Sequence, residues 1–247
     1  MNLLHLKNKI LLLFLLSCFT FQAQVTDIDG NSYDTVRIGT QTWMAENLNV
    51  ATFRNGDPIP EAKTKEEWMK AVEMRQAAWC YYENDPLNGD KYGKLYNWFA
   101  VKDVRGLAPL GYHVSSKADW NTLIKYVNLI PWPDDWNEGG GVATKLKSTS
   151  DWADWYAVWE ETGQFFYYNS NGNNVSGLNC MPAGNRFDDA DSESSEFWGL
   201  NNVGSWWCSD YYNYEEGISY HITRMDSDVI NDFAFKSNGF SVRCIKN

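Results

Sequence analysis

A helix start is marked twice over in residues 111–130. Ser116 stands three residues before Asp119, a capping-box-like pair in which hydroxyl and carboxylate satisfy free N–H groups of the first turn. Trp120, Leu123, Ile124 and Val127 then fall at i, i+3, i+4 and i+7, so one apolar stripe turns inward. Pro131 ends the run. Most other segments read as strands or aromatic loops, so this helix has a sheet to cover and the expected fold class is α+β.

The N-terminus reads as a targeting segment, with residues 1–23 expected to be a signal peptide and 24–247 a single domain. Lys7 and Lys9 form a positive region, and residues 10–16 are an unbroken apolar run. That run is shorter than the roughly 20 residues a membrane span needs. Two endings compete: a cleavage after Phe21-Gln22-Ala23, or a lipobox-like Leu15-Leu16-Ser17-Cys18 with lipid on Cys18. Apolar Phe19 and Phe21 weigh against the second. Either places the chain outside the cytoplasm, in the periplasm, on the outer-membrane surface or free of the cell. No later run is apolar enough to span a bilayer. Loss of Lys7 and Lys9 leaves 19 basic against 32 acidic residues, moving the formal charge from −11 to −13. Nucleic acid and anionic membrane are thereby disfavoured as partners.

Residues 25–48 read as a β-meander, with Asp29-Gly30 and Gly39-Thr40 as its reversals. The run Asp27-Ile28-Asp29-Gly30-Asn31 lacks the acidic ladder and closing Glu of a calcium loop, so a turn is expected there. Thr64 caps a short helix over residues 64–77. A strand carrying Cys80 follows at 79–82, then a turn at 84–89, then helical spacing through Tyr92, Leu95, Trp98, Phe99 and Lys102. Residues 132–141 and 151–162 read as loops dense in Trp and acid. Further strands are expected at 178–181, 204–209, 218–225 and 239–246, with an exposed acidic loop at 188–196.

Four blocks then stand in one order: VTDIDGNSYDTVRIGTQTWMAENLN, CYYENDPLNGDKYGKLYNWFAV, GLAPLGYHVSSKADWNTL and NGFSVRCIKN. This order resembles the Fibrobacter succinogenes major paralogous domain family of exported or surface proteins in Fibrobacter and Bacteroidota. More distantly, the helix start Ser115-Ser116-Lys117-Ala118-Asp119-Trp120 and the strand Gly239-Phe240-Ser241-Val242-Arg243 resemble the C-type-lectin-like fold, including its formylglycine-generating-enzyme branch. That resemblance implies a core of short antiparallel strands with two to three helices and long aromatic-rich loops, its terminal strands meeting beside the helices. An analogy of fold carries no function. Cys80 and Cys244 lie in family-like blocks, whereas Cys180 and Cys208 depart from the small residues expected there. The resemblance thus implies disulfides Cys80–Cys244 and Cys180–Cys208, with reduced, buried thiols as the rival.

No catalytic motif stands out. His113 and His221 are the histidines left after the leader, neither placed beside a nucleophile or a metal ligand by sequence. The reactive cysteine pair of the formylglycine-generating branch has no counterpart, because Cys208 has no neighbouring Cys. No GxSxG, HExxH or phosphate-binding glycine loop is present. The expectation is a non-catalytic binding module without a cofactor, its partner a glycan ahead of a surface protein. The contact residues would be Trp132, Trp136, Trp152 and Trp155, with Asp134, Asp135 and Asp151 fixing hydroxyls beside the rings. Core packing is the alternative for each Trp. Calcium is a lesser expectation, at Asp188, Asp189, Asp191 and Glu193, since the Glu-Pro-Asn and Trp-Asn-Asp motifs of C-type lectins are missing. A structural or assembly domain without a small-molecule ligand is the main alternative, and an enzyme with paired carboxylates a further one. Exposure of the loop tryptophans would favour binding; their burial would favour a spacer.

Overall fold

The computed structural model describes residues 23–131, 141–159, 161–187 and 196–247. The leader, Cys18 included, lies outside them. In chain order the elements are β1 (Gln24–Thr26), β2 (Ser32–Ile38), β3 (Gln41–Met44), α1 (Lys65–Glu73), β4 (Trp79–Cys80), α2 (Pro86–Tyr92), β5 (Leu95–Tyr96) and α3 (Trp98–Val101). Next come β6 (Tyr112–Val114), α4 (Lys117–Asn128), α5 (Val142–Leu146), β7 (Trp155–Trp159), β8 (Gln164–Tyr168) and β9 (Ala183–Arg186). The chain closes with β10 (Phe197–Leu200), β11 (Val203–Tyr211), β12 (Glu216–Thr223), β13 (Ile230–Phe235) and β14 (Cys244–Lys246). The mixture is α+β.

The expected meander forms as β1–β2–β3, and the last strand, β14, inserts between β3 and β6 to give a five-stranded sheet. The two ends of the domain therefore meet. The turn between β1 and β2 is fixed by Asp27. Its Oδ1 accepts from the N–H groups of Asp29 and Asn31, and its Oδ2 from Asn31 Nδ2 and the Tyr33 hydroxyl. A carboxylate so occupied closes a turn instead of offering itself to a cation. At the next reversal Gly39 has φ +60°, and a Cβ there would lie 2.8 Å from the Tyr126 ring of α4. Glycine thus serves both the left-handed turn and the close approach of the helix.

Helix α4 carries the full capping box. Ser116 Oγ accepts from Asp119 N–H at 3.2 Å, and Asp119 Oδ2 accepts from Ser116 N–H at 2.8 Å. Its stripe is buried as the spacing requires, with Trp120, Leu123 and Val127 inaccessible. The helix serves two sheets. Trp43 and Ile245 from the terminal sheet join its stripe, as do Trp206, Tyr220 and Ile222 from the β11–β12–β13 sheet. Trp120 stacks on Tyr220 at 4.9 Å and meets Trp43 edge-on at 5.5 Å, arrangements favoured by the ring quadrupole. Helix α1 has the same reciprocal cap, between Thr64 and Glu67.

Four expectations about the helices and cysteines fail. The helical run over residues 92–102 is broken into the end of α2, strand β5 and the short α3. Gly93, at φ +77°, turns the chain against the Leu48 carbonyl, and the Asn97 side chain caps α3 by accepting from Ala100 N–H. The aromatic spacing is real, but Tyr92, Leu95 and Trp98 are buried because the whole segment threads the core. The expected turn at 84–89 contributes helix α2 instead, begun by the Asp85 cap and Pro86. With α3 and α5, five α-helices form among the described residues where two to three were expected. Fourth, the implied disulfides Cys80–Cys244 and Cys180–Cys208 are absent. All four residues are free, buried thiols. Cys80 packs in the small cluster around Trp68, Cys244 in the cluster around Phe53 and Phe240, and Cys180 and Cys208 with the α4 stripe. They behave as small apolar fillers of an aromatic core, and burial pushes the Cys80 thiol up to about 11 and that of Cys180 to about 12.

Buried cations take over the fastening of the loops. Arg243, fully buried, donates to the carbonyls of Met44, Leu178 and Asn179. Arg186 donates to the carbonyls of Ala62 and Thr64 and to Glu196, and lies 4.5 Å from the Trp68 centroid. Lys147 donates to the carbonyls of Arg224 and Asp226 beside the Trp152 ring. Each donates to carbonyls of irregular or element-ending backbone inside the protein, where water cannot serve them.

Candidate functional site

The expected contact residues scatter. Trp132, Trp136, Asp134 and Asp135 lie outside the described residues, as do Asp188, Asp189, Asp191 and Glu193. Trp152 is buried. Its Nε1 donates to Ser148 Oγ at 3.1 Å, its backbone N–H donates to Asn171 Oδ1, and Lys147 sits over the ring at 4.8 Å. It is a core residue, packed with the α4 stripe. Asp151 is occupied as well, its carboxylate bonded to Lys91 Nζ and to the Ser150 hydroxyl. Burial pushes that carboxyl up, but the bonds from Lys91 and Ser150 outweigh it and hold the group below the usual range.

Trp155 leads to the surface. It opens β7, which pairs with β8 in a hairpin where the sequence suggests a loop. The cross-strand pairs are Trp155 with Tyr168, Tyr156 with Tyr167, Ala157 with Phe166, and Val158 with Phe165. Because side chains alternate, Trp155, Ala157, Trp159, Phe166 and Tyr168 share one face, and Tyr156, Val158, Phe165 and Tyr167 share the other. None of the ten strand residues is charged. Trp155 stacks on Tyr168 at 4.2 Å and 10°, fastening the base of the hairpin. Beyond it the rings are open: Tyr156 is 70% exposed, Phe165 71%, Tyr167 73% and Trp159 56%. A cleft of about 490 Å³ runs along the first face, lined by Ala157, Val158, Trp159, Glu161, Phe166 and Tyr168. Side chains this apolar, uncovered on both faces of a two-stranded ribbon, are what a contact surface presents.

Some of the other exposed aromatics are engaged with neighbouring groups of the chain. Tyr212 stacks on Phe233 at 3.9 Å, and the Arg75 guanidinium lies 3.9 Å from the Tyr214 centroid. Both described histidines are hydrogen-bonded within the fold. His113 links Asp119 Oδ2 to Asn247 Oδ1, tying the α4 cap to the C-terminus. His221 bonds Ser219 and Ser205, both hydroxyls belonging to fully buried residues. Among the described residues no group of three or more His, Cys, Asp or Glu is placed to hold a metal ion, and no helix is long and apolar enough to cross a membrane.

The hairpin does leave a trace in the sequence. Two runs of β-prone aromatics, WYAVW and QFFYY, flank Thr162-Gly163, and Gly163 takes φ +65° at the turn. That is hairpin chemistry, masked by the loop-like density of Trp and acid just before it.

Comparison with curated proteins and with solved structures finds no match to this chain. The family model that does match is the Fibrobacter succinogenes major domain, over residues 36–246. Most of the four ordered blocks, the capped α4 and the closing β14 fall inside that match, and the chain belongs to this family.

Proposed function

We propose that this protein is an exported, non-catalytic binding module of the cell surface, and that the β7–β8 hairpin is its contact element. The observation that carries the reading is the two-faced aromatic surface of that hairpin, whose ten strand residues carry no charge. Aromatic faces stack on the apolar C–H faces of sugars, and uncharged strands edged by the carboxylates of Glu161 and Asp154 suit a neutral glycan better than an anionic ligand. The meeting of β14 with β3 and β6 beside α4 also supports a C-type-lectin-like reading of the core, with recognition built on elements outside it. Asp154 and the Tyr167 hydroxyl, bonded to one another at the rim, offer polar partners for ring hydroxyls.

A glycan array probed with the purified domain tests this. Binding to neutral glycans should appear and should fall at least tenfold in Trp159→Ala and Phe165→Ala. Binding unchanged in both variants rejects the hairpin as the site. No glycan binding at all, with a folded protein, favours the structural or assembly reading, for which the same apolar faces would be a protein contact.

A further inference from the structure

Lys94 lies between α2 and β5 and is buried. Its Nζ is 2.8 Å from Asn49 Oδ1 and 2.5 Å from the Asn49 carbonyl oxygen. The Trp79 centroid is 4.5 Å away and the Tyr81 centroid 5.0 Å, so a dry aromatic wall closes the other side. Among the described residues no carboxylate forms an ion pair with this amine; Asp29, Asp27, Glu61 and Asp90 act on it from farther off. Lys147 and Lys236, by contrast, donate to backbone carbonyls, which offer no group an amine can displace.

We propose that Lys94 and Asn49 join in an intramolecular amide bond made by the folded chain itself. The Nζ lone pair attacks Asn49 Cγ, the Nζ–Cγ bond forms and the Cγ–Nδ2 bond breaks. One proton passes from the amine to the departing nitrogen, which leaves as ammonia. Nothing is oxidised or reduced, so no co-reactant is needed. An amine 2.8 Å from Oδ1 is a small rotation from the carbonyl carbon, where reacting atoms must come within about 3–3.5 Å. Burial pushes the amine down to about 8, which supplies the neutral nucleophile near physiological pH.

Asn49 is held for attack. Its N–H donates to the Tyr33 hydroxyl, which in turn donates to Asp27, and its carbonyl accepts from Asn31 Nδ2. The carboxylates of Asp29 and Asp27, acting from farther off, favour the positive charge that develops on Nζ during attack. Asn49 also lines a polar cleft of about 240 Å³, together with Asp90 and Lys91, through which ammonia can leave. The bond would clamp the segment after β3 to the segment before β5, a covalent tie in a domain whose cysteines are free.

Mass spectrometry of the purified full chain decides this, independently of any ligand. The folded protein should weigh about 17 Da less than its sequence, the mass of one ammonia. A tryptic digest should lack cleavage after Lys94 and yield a branched peptide joining the segments around residues 49 and 94. Lys94→Met should restore the sequence mass. Full sequence mass with normal cleavage at Lys94 overturns the proposal. So does a loss of ammonia located at any asparagine without the branched peptide, since a succinimide weighs the same. The wild-type digest separates these outcomes even if Lys94→Met does not fold.

Discussion

Arg243 donates from Nε to Oδ1 of Asn47 at 2.7 Å, in a place that solvent does not reach. The same oxygen accepts from Trp206 Nε1 at 2.8 Å, while Asn47 Nδ2 donates to the Tyr92 carbonyl and to Ser241 Oγ. One amide thus connects the approach to β14, strand β11 and the end of α2 with the segment after β3. Asn47→Leu keeps the branched shape and leaves the buried Arg243 Nε–H and an indole N–H without their acceptor. Such a loss should cost about 3 kcal/mol or more. Urea unfolding monitored by tryptophan fluorescence checks it; a shift under about 1 kcal/mol would show that Arg243 is held by its carbonyls alone.

A pH dependence follows from His221. Burial pushes this imidazole down to about 4 from an ordinary 6.5. Between those values the unfolded chain takes up a proton that the folded chain refuses, so stability falls as pH falls through that window. The effect of this one group is at most about 3 kcal/mol. Melting temperatures from pH 7 to pH 4 should decline, and His221→Asn, which can still bond Ser205 or Ser219, should flatten part of the slope. A variant with an identical slope would assign it to carboxylates elsewhere.

The thiols give a second test of the interior. Cys80, Cys180, Cys208 and Cys244 are free and buried, and burial raises each of them. An alkylating reagent without reductant should leave all four unmodified in the native protein and modify all four in guanidinium. A denatured, unreduced chain with only two reactive thiols among them would reinstate a disulfide. Added reductant should leave the melting temperature unchanged.

How much is legible in the sequence follows from which forces are local. The α4 cap, its stripe and the β1–β2–β3 turns are readable because Ser116, Asp119, Asp27 and Gly39 act on backbone within a few residues. The break at Gly93 is not, because it answers to the Leu48 carbonyl far away in sequence. The buried fates of Arg186, Arg243 and Lys147 are equally hidden: their partners are carbonyls of distant loops. The candidate site is half legible. Trp155 stands out in the sequence, but its neighbours in β8 do not, and Trp152, three residues before it, belongs to the core. Aromatic composition alone does not separate a ring that fills the interior from one that faces water.

That separation is itself testable. Trp152 and Trp159 are the same residue type seven positions apart, one 3% and one 56% exposed. Trp152→Ala removes a packed ring and its indole N–H, which donates to Ser148 and Cys180, and should cost about 3–5 kcal/mol. Trp159→Ala empties no cavity and should stay within about 1 kcal/mol of the parent, while reducing binding to any ligand of the hairpin. Chemical denaturation and a binding assay on the two variants should therefore give opposite results. If Trp159→Ala unfolds the protein as readily as Trp152→Ala, the hairpin is part of the core and its rings are not a contact surface. If Trp152→Ala remains folded and loses binding, the site lies at the base of β7 and not along its open faces.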